Sequence, residues 1–349
     1  MRDRVLKLFE SHEVLVGDRH FYKTLSAIFL FDFLDKLRVQ DFPRDWFQRF
    51  KAGLMALESF AQFLESNFEF SQNEFPQFDP EKHSDNVEEQ TGQVYFKLWK
   101  DFKNEEYFTQ TLAALRERFK KNGIDVGSVK SLLDDGCGGG RYALALKSLG
   151  AAKVTGIDIS PNSIDLARKM SPFSDEEVRF LQGSVLDLPF EDESFDFVFS
   201  NGVLHHTLST ELGLSEIHRV LRRGGRCWLY LYGGKESLFW DIVDFSRKLL
   251  RDVPQLYTQT LMKTLGYAPG RIFHRTDFFY VPMNRRYFTT EVESMLRAAG
   301  FQVFRRLKRG TAYDWDEINY RHPNLDRYIY GEGEMRYLIN RGGSRHACT

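Results

Sequence analysis

Hydrophobic residues recur with one spacing before about residue 129 and with a different spacing after it. Residues 1–70 carry apolar side chains at helical spacing, and Pro43 predicts the first turn of a new helix. Residues 71–90 are polar and marked by prolines, which indicates a linker, and helical spacing returns over 91–122. The first third of the chain is therefore expected to be α-helical.

From about residue 129, short apolar runs alternate with amphipathic stretches. The runs predict strands at Val129–Asp134, Lys153–Ile159, Val178–Gln182, Phe195–Asn201, Cys227–Tyr232, Phe301–Leu307 and Met335–Asn340. The stretches predict helices at Arg141–Leu149, Pro161–Met170, Glu211–Leu221 and Glu291–Gly300. This alternation indicates an α/β fold, a doubly wound, seven-stranded and mostly parallel sheet with helices on both faces.

One insertion interrupts the alternation after the fifth strand, at about residues 233–285. It predicts helices over Leu238–Leu250 and Gln255–Leu265, followed by a loop over His274–Asn284. The expected domains are, in chain order, an N-terminal helical domain with its linker at 1–90, a helical segment at 91–128 and the α/β domain at 129–349.

Composition narrows the function classes. The 349 residues carry a net charge of −1, so no basic excess marks a dedicated nucleic-acid surface. The three cysteines are far apart and form no CxxC pair, so the sequence predicts neither a metal site nor a disulfide framework.

The sequence also contains no signal-peptide core, and no apolar run approaches the ~20 residues of a membrane span. A location in the reducing cytoplasm is expected.

The strongest chemical signal is the glycine run over residues 134–140, Asp-Asp-Gly-Cys-Gly-Gly-Gly, between a strand and a helix. Glycines let the backbone turn sharply and let a ligand approach closely, and free N–H groups at a helix start can bind that ligand. Dinucleotide sites read G-x-G-x-x-G, which would require glycine or alanine where Arg141 stands. The spacing here is G-x-G-x-G. By itself the run does not separate a dinucleotide site from another nucleoside site.

A second signal lies 18 residues after Gly140, where the predicted strand ends near Asp158. A carboxylate at this point can accept hydrogen bonds from both hydroxyls of a ribose. Asp158 could instead cap the next helix, but Ser160, directly before Pro161, serves that role better. Asp158 is therefore predicted to bind a ribose.

Further motifs follow in order along the chain, at Gln182–Phe190, Phe195–His206, Glu216–Gly225, Tyr287–Val292 and Ala299–Phe301. Together with the glycine run and Asp158, they resemble the class I, Rossmann-like S-adenosylmethionine-dependent methyltransferases. The core is similar to type 11 or type 25 methyltransferase domains, and it follows an N-terminal helical extension. Arg223 replaces the proline that the family usually has in the turn after the helix Glu211–Leu221, a change that a turn tolerates.

The resemblance implies that the chain binds S-adenosylmethionine and releases S-adenosylhomocysteine. Carried over residue by residue, it assigns the cofactor to Asp134, Gly136, Cys137, Gly138, Gly140, Asp158, Ile159, Ser184, Val185 and Asn201. Two positions depart from the family, because Ser184 stands where Asp is common and Asp135 where Val, Ile or Leu is usual. Asp135 either faces a solvated or hydrogen-bonded side of the strand end or contacts the amino group of the methionine moiety.

A lid over the cofactor is also implied, because similar enzymes fold the residues before the first strand over it. Tyr95, Trp99 and Tyr107 are the lid candidates, and a helix buried on the sheet is the alternative. The insertion after the fifth strand is expected to form the substrate cap.

The resemblance further implies methyl transfer by SN2 displacement, in which the enzyme mainly aligns the nucleophile, the methyl group and the sulfur. A base is needed only where the nucleophile carries a proton. In the family's pattern the first histidine after the fourth strand faces the methyl group, so His205 is the predicted base. Alternatively, His205 and His206 only hold the helix start. The other catalytic candidates are Tyr232, His274 and Asp277.

Three functions stay open from the sequence. The main hypothesis is a methyltransferase for a small molecule, a metabolite or natural-product precursor, with no nucleic acid as partner. The second is a methyltransferase for protein, RNA or a glycan. The fourth strand ends Ser200–Val203 without the Asn-Pro-Pro-Tyr signature, which disfavours amino methylation of nucleic acid. The third is a non-catalytic cofactor-binding partner. The N-terminal helices are expected either to form a homodimer or to enclose the substrate.

Overall fold

The computed structural model describes residues 20–39, 45–67, 87–99, 106–307 and 323–342. The chain divides into two compact units. Unit 1 consists of Met1–His83 and Glu236–Tyr280, and unit 2 consists of Ser84–Lys235 and Val281–Thr349. The N-terminal helices therefore share a unit with most of the insertion that follows the fifth strand.

Helices and strands alternate through unit 2. The helices of the chain are α1 His20–Val39, α2 Trp46–Asn67, α3 Val87–Trp99, α4 Thr111–Asn122, α5 Arg141–Ser148, α6 Pro161–Met170, α7 Thr210–Val220, α8 Leu238–Leu249, α9 Gln255–Thr264, α10 Pro269–Tyr280, α11 Thr289–Ala298 and α12 Pro323–Tyr330. The strands are β1 Ser131–Asp135, β2 Lys153–Asp158, β3 Val178–Gln182, β4 Phe195–Asn201, β5 Leu221–Leu231, β6 Val303–Arg306 and β7 Met335–Asn340. A π-helical turn occupies Glu106–Gln110 and a 3-10 turn occupies Leu204–His206.

The seven strands form one sheet in the order β3-β2-β1-β4-β5-β7-β6. β1 to β5 are parallel, and β7 runs antiparallel between β5 and β6. The predicted doubly wound, mostly parallel sheet is confirmed. Side chains alternate between its two faces, so Leu132 and Leu133 pack into two separate hydrophobic clusters. The carboxyl ends of β1, β2, β4 and β5 share one edge, where ligands of such sheets bind.

Local sequence sets where the helices of unit 2 begin. The Ser160 hydroxyl accepts a hydrogen bond from the Ser163 N–H (3.3 Å), and Pro161 occupies the first turn of α6. The Ser209 hydroxyl caps α7 in the same way through the Leu212 N–H (3.1 Å). These caps fix the chain direction directly after β2 and after the 3-10 turn.

Unit 1 is helical, with a core of aromatic rings and buried ion pairs. Phe31 of α1 packs edge-on against Phe279 of α10, with ring centroids 4.9 Å apart. The Arg275 side chain is only 4% exposed and donates to Asp32 (2.5 Å) and Asp35 (3.1 Å) of α1. These two carboxylates compensate the charge of the guanidinium, because an unpaired buried charge would be strongly destabilising.

The predicted loop over His274–Asn284 is wrong in its first half, because α10 continues to Tyr280. Residues 275–279 of this helix are all buried, including Arg275 and Asp277, so no polar face marks the helical period there. The helix α12 was not predicted. Pro43, most of the 71–90 linker and the signals beyond residue 342 lie outside the described residues. None of the helices in the described ranges has the length and apolar character needed to cross a membrane.

Candidate active site

Three glycines shape the turn between β1 and α5. Gly136, Gly138 and Gly140 adopt φ angles of 77°, 52° and 84°, a region that side chains rarely allow. A Cβ at Gly136 would lie 2.5 Å from Val203, and one at Gly140 would lie 2.8 Å from Ala167. Only glycine therefore fits at these two positions of the turn, which lets the strand end and the helix start pack closely.

Asp158 ends β2 and ties this turn to the sheet. Its carboxylate accepts hydrogen bonds from the Gly138 N–H (2.9 Å) and the Ser160 N–H (3.0 Å). Burial raises the pKa of Asp158, and these two N–H groups oppose the rise by stabilising the charged form. Each carboxylate oxygen keeps a second lone pair, so the group can still accept ribose hydroxyls.

Two adjacent buried acids end β1. Asp134 is 2% exposed, and its Oδ2 has no hydrogen-bond partner among the described residues. Burial and the charge of Asp135 raise the pKa of Asp134 well above its usual range. Asp135 is fully buried, and neither of its oxygens makes a well-formed hydrogen bond to a described residue. Burial raises the pKa of Asp135 to about 7, although the neighbouring Ser200 hydroxyl favours the charged form.

The residues around the glycine turn fit S-adenosylmethionine. This cofactor carries a positive ammonium and a positive sulfonium, and the orphaned Asp134 oxygen is an acceptor suited to a cation. The free lone pairs of Asp158 have the chemistry that a ribose requires. Cys137 contributes packing rather than chemistry, because it is 5% exposed and burial raises the pKa of its thiol well above the usual range.

The loop after β3 is held in place by an ion pair on α7. Glu216 accepts a hydrogen bond from the Leu188 N–H (2.8 Å), and Arg219 donates to the Leu188 carbonyl (2.9 Å) and the Phe190 carbonyl (2.6 Å). This clamp fixes the segment that carries Ser184, and sequence reasoning missed it by treating the Glu-x-x-Arg pattern only as a turn motif.

Two residues assigned to the cofactor from the resemblance already have structural partners. The Ser184 hydroxyl accepts from the Leu186 N–H (3.1 Å), and the Asn201 Oδ1 accepts from the Trp228 indole N–H (2.9 Å). Val185 is 7% exposed and packs in the hydrophobic core, which leaves little of its surface for a ring. The part of Asn201 that stays available is its amide nitrogen.

Helix α3 covers the segment directly after Asp158. A Cβ at Gly92 would lie 2.9 Å from the Ser160 Cβ and 3.3 Å from Ile159, so the helix backbone passes close to both. One turn further on, the ring of Tyr95 lies 5.7 Å from the ring of His206. Trp99 ends this helix, and the side chains of Trp99 and Tyr107 lie outside the described part of the chain. Helix α3 therefore connects the segment after Asp158 to the histidine turn at Leu204–His206.

The two histidines of that turn differ in their hydrogen bonds. His205 is fully buried, and its Nδ1 accepts from the Tyr232 N–H (3.3 Å) while its ring stacks on the Tyr232 ring at 3.7 Å. Burial and the adjacent His206 lower the pKa of His205 well below its usual value. His205 is thus neutral near pH 7, with its proton on Nε2.

His206 has the opposite arrangement. Its Nδ1 lies 2.6 Å from the Met283 carbonyl oxygen. A carbonyl oxygen only accepts, so Nδ1 carries the proton of the neutral ring and Nε2 carries the lone pair. The sequence held no signal for this contact, because the two residues are 77 positions apart.

Residues 281–288, here named the strap, cross the ends of β4 and β5. Besides the Met283 contact, the Arg285 N–H donates to the His205 carbonyl (3.0 Å) and the Tyr287 N–H donates to the Tyr232 carbonyl (3.1 Å). Asn284 lies between these contacts, and both polar atoms of its amide are buried with no hydrogen-bond partner among the described residues. A buried amide without partners is costly, so Asn284 is suited to a ligand that supplies them.

The remaining predicted catalytic residues belong to unit 1. His274 and Asp277 lie on α10, where His274 is exposed and Asp277 is 6% exposed. His205 and Tyr232, in contrast, belong to unit 2. Within the described ranges, no group of three or more His, Cys, Asp or Glu side chains has a metal-binding arrangement.

Known proteins match the part of the chain that carries β1 to β5. Residues 133–229 match a family model described as "Methyltransferase domain". The chain is 38% identical over 189 residues to a demethylmenaquinone methyltransferase of Staphylococcus aureus, covering 49% of this chain and 77% of that protein. It is 32% identical over 140 residues to the O-methyltransferase rstn1 of Aspergillus nomiae, covering 39% of this chain and 60% of that protein.

Among solved structures, one similar chain is a methyltransferase of Thermotoga maritima described as a possible histamine N-methyltransferase. It is 21% identical, with a TM-score of 0.44, and the match covers 72% of this chain and 99% of that chain.

Proposed function

Because the chain belongs to the class I S-adenosylmethionine-dependent methyltransferases, we propose that it transfers the cofactor's methyl group to a small-molecule nucleophile. The enzyme class and the cofactor follow from the family. The acceptor is our proposal, and the observation that carries it is the burial of the polar groups at the ends of β4 and β5. His205 and His206 are 0% and 3% exposed.

An enclosed acceptor side suits a small molecule better than a macromolecule. A protein, RNA or glycan chain would have to bring its reacting atom to histidines that lie under the strap. The balanced net charge of −1 agrees, because binding to nucleic acid normally rests on a basic surface. The names of the two curated relatives, an O-methyltransferase and a demethylmenaquinone methyltransferase, also support a small acceptor.

The chain's own residues would hold the cofactor at both ends. We assign the ammonium to the orphaned Asp134 oxygen, the ribose hydroxyls to Asp158 and the close backbone approach to Gly136, Gly138 and Gly140. When bound, the cofactor supplies a methyl group on a positive sulfur that leaves as a thioether. Asn284 would bind the acceptor, because its amide offers both a donor and an acceptor. The substrate cap at 233–285, the cytoplasmic location and the homodimer stay predictions.

The experiment supplies the purified protein with S-adenosylmethionine labelled in its methyl group, together with a cell extract. The extract is then separated into small-molecule, protein, RNA and glycan fractions. We expect label in the small-molecule fraction, with an Asp158→Ala variant as the inactive control. Label confined to a macromolecular fraction would contradict the small-molecule proposal. A protein that binds cofactor but transfers no label would instead support a non-catalytic role.

A further inference from the structure

The two histidines after β4 hold their protons on opposite ring nitrogens. We propose that His206 accepts the proton of a hydroxyl on the acceptor molecule through Nε2, while His205 is a fixed hydrogen-bond donor. This inference rests on the proposed function and names the reacting group of the acceptor. It also assigns the base to a residue other than the one that the sequence indicated.

His205 is poorly placed to take up a proton. Its acceptor nitrogen is engaged by the Tyr232 N–H at 3.3 Å, and its other nitrogen already carries the proton. A proton on Nδ1 would bring two donors together and break the contact with Tyr232. The ring is fully buried and stacked on Tyr232, so a positive charge there would also lack solvation.

His206 has the geometry of an oriented base. Its Nδ1–H donates to the Met283 carbonyl at 2.6 Å, which leaves the lone pair of the neutral ring on Nε2. The carbonyl oxygen fixes the ring and stabilises the imidazolium that forms when Nε2 takes a proton. This is how a histidine base is commonly oriented, with the second ring nitrogen donating to a carbonyl or carboxylate.

The surroundings of His206 also connect it to the cofactor side of the site. The rings of Tyr95 and Tyr232 lie edge-on to it, with centroids at 5.7 and 5.3 Å. Tyr95 belongs to α3, the helix that passes over Ile159 and Ser160 directly after Asp158. One helix thus contacts both the ribose end and the proposed base.

The proton and electrons balance in this assignment. The electron pair of the hydroxyl oxygen forms the bond to the methyl carbon, and the carbon–sulfur bond breaks with its pair going to sulfur. The hydroxyl proton goes to Nε2 of His206. The positive charge lost at sulfur is regained on the imidazolium, so the total charge of the site is unchanged.

The first measurement uses the protein alone, with histidines labelled by ¹⁵N and no cofactor added. Imidazole NMR of the wild type and of His205→Asn and His206→Asn variants assigns each ring. We expect His206 to hold its proton on Nδ1 and His205 to hold its proton on Nε2. A His206 ring with its proton on Nε2 at neutral pH would overturn the proposal, whatever the activity.

The second measurement compares methyl transfer from labelled S-adenosylmethionine into the small-molecule fraction of a cell extract. In His206→Asn the amide N–H replaces the Nδ1–H toward Met283, while the base is lost. We expect a rate at least about 100-fold lower, with a loss that shrinks as the pH rises, because hydroxyl ionisation then supplies the nucleophile. Binding of S-adenosylhomocysteine should change less than about threefold, because His206 is assigned no cofactor contact.

His205→Asn is the matched control, because the amide oxygen can still accept from the Tyr232 N–H. We expect it to keep at least about a tenth of the wild-type rate and the same pH dependence as wild type. A loss in His205→Asn equal to that in His206→Asn would overturn the assignment. If the wild type labels no small molecule, the proposed function fails, and the NMR result still decides the proton positions.

Discussion

The carboxyl ends of β1 and β2 and those of β4 and β5 hold two polar clusters, assembled from very different lengths of chain. The cofactor side uses residues 134–160, and its bonds join Asp158 to Gly138 and Ser160. The acceptor side joins the histidine turn to a strap nearly 80 positions later, as in the 77-residue separation of His206 and Met283. The first cluster is held by hydrogen bonds between residues close in sequence, whereas the second forms only when distant segments come together in the folded chain.

The two clusters also differ in how their polar groups are satisfied. At the end of β1, both oxygens of Asp135 and one oxygen of Asp134 are buried without well-formed hydrogen bonds to described residues, which suits a cationic ligand. On the acceptor side, each histidine has one ring nitrogen bound to backbone, and only the Asn284 amide has no hydrogen-bond partner among the described residues of the histidine turn and the strap's 283–285. The cofactor side therefore contains buried carboxyl groups whose charged form is unfavourable. The acceptor side contains histidine rings whose orientation is fixed by backbone hydrogen bonds.

The largest expected effect is the pH dependence of stability that results from burying Asp135. Burial raises its pKa from 3.8 to about 7, so the folded protein keeps a proton that the unfolded chain has already released. The resulting stabilisation is complete below about pH 4 and is lost as the pH rises through about 7, up to about 4 kcal/mol in total. In urea unfolding, the stability of Asp135→Asn relative to wild type should therefore rise across this range and then level off. Parallel pH curves for the two proteins would contradict the assignment.

The next effect concerns Asp158, which holds the glycine turn and is proposed to bind the ribose. Asp158→Ala removes the acceptor for the Gly138 and Ser160 N–H groups and for the cofactor hydroxyls. We expect S-adenosylhomocysteine to bind on the order of 100-fold more weakly, about 3 kcal/mol, by calorimetry. Asp165→Ala is the control, because that carboxylate is 76% exposed and faces only Arg168. Equal affinities of the two variants for S-adenosylhomocysteine would contradict the assignment of Asp158 to the ribose.

The smallest effect tests the acceptor side at Asn284. If its buried amide awaits a ligand, Asn284→Leu should raise the free energy of unfolding by about 1 kcal/mol while slowing methyl transfer. Asn201→Leu should do the opposite to stability, because the Trp228 indole N–H then loses its acceptor. Thermal unfolding of both variants gives the comparison. A loss of stability in Asn284→Leu would show that the amide has a structural role instead.

Much of the fold was predictable because its signals are local. The strands Val178–Gln182, Phe195–Asn201 and Met335–Asn340 and the helix Pro161–Met170 have the predicted bounds. Apolar runs, a proline in the first turn and a serine cap act within a few residues. The second half of α10 escaped prediction because Arg275 is buried and paired with carboxylates on α1, about 240 positions away. Periodicity cannot reveal a polar residue whose partner is that remote.

By itself, the sequence determined the parallel sheet, the glycine turn and the acid at the tip of β2, because each depends on backbone preferences over short stretches. It also identified the histidine pair as a candidate for chemistry. Only the tertiary structure separated the two histidines. The position of a proton on an imidazole is set by the group facing each nitrogen, and those groups, the Tyr232 N–H and the Met283 carbonyl, arrive from distant parts of the chain.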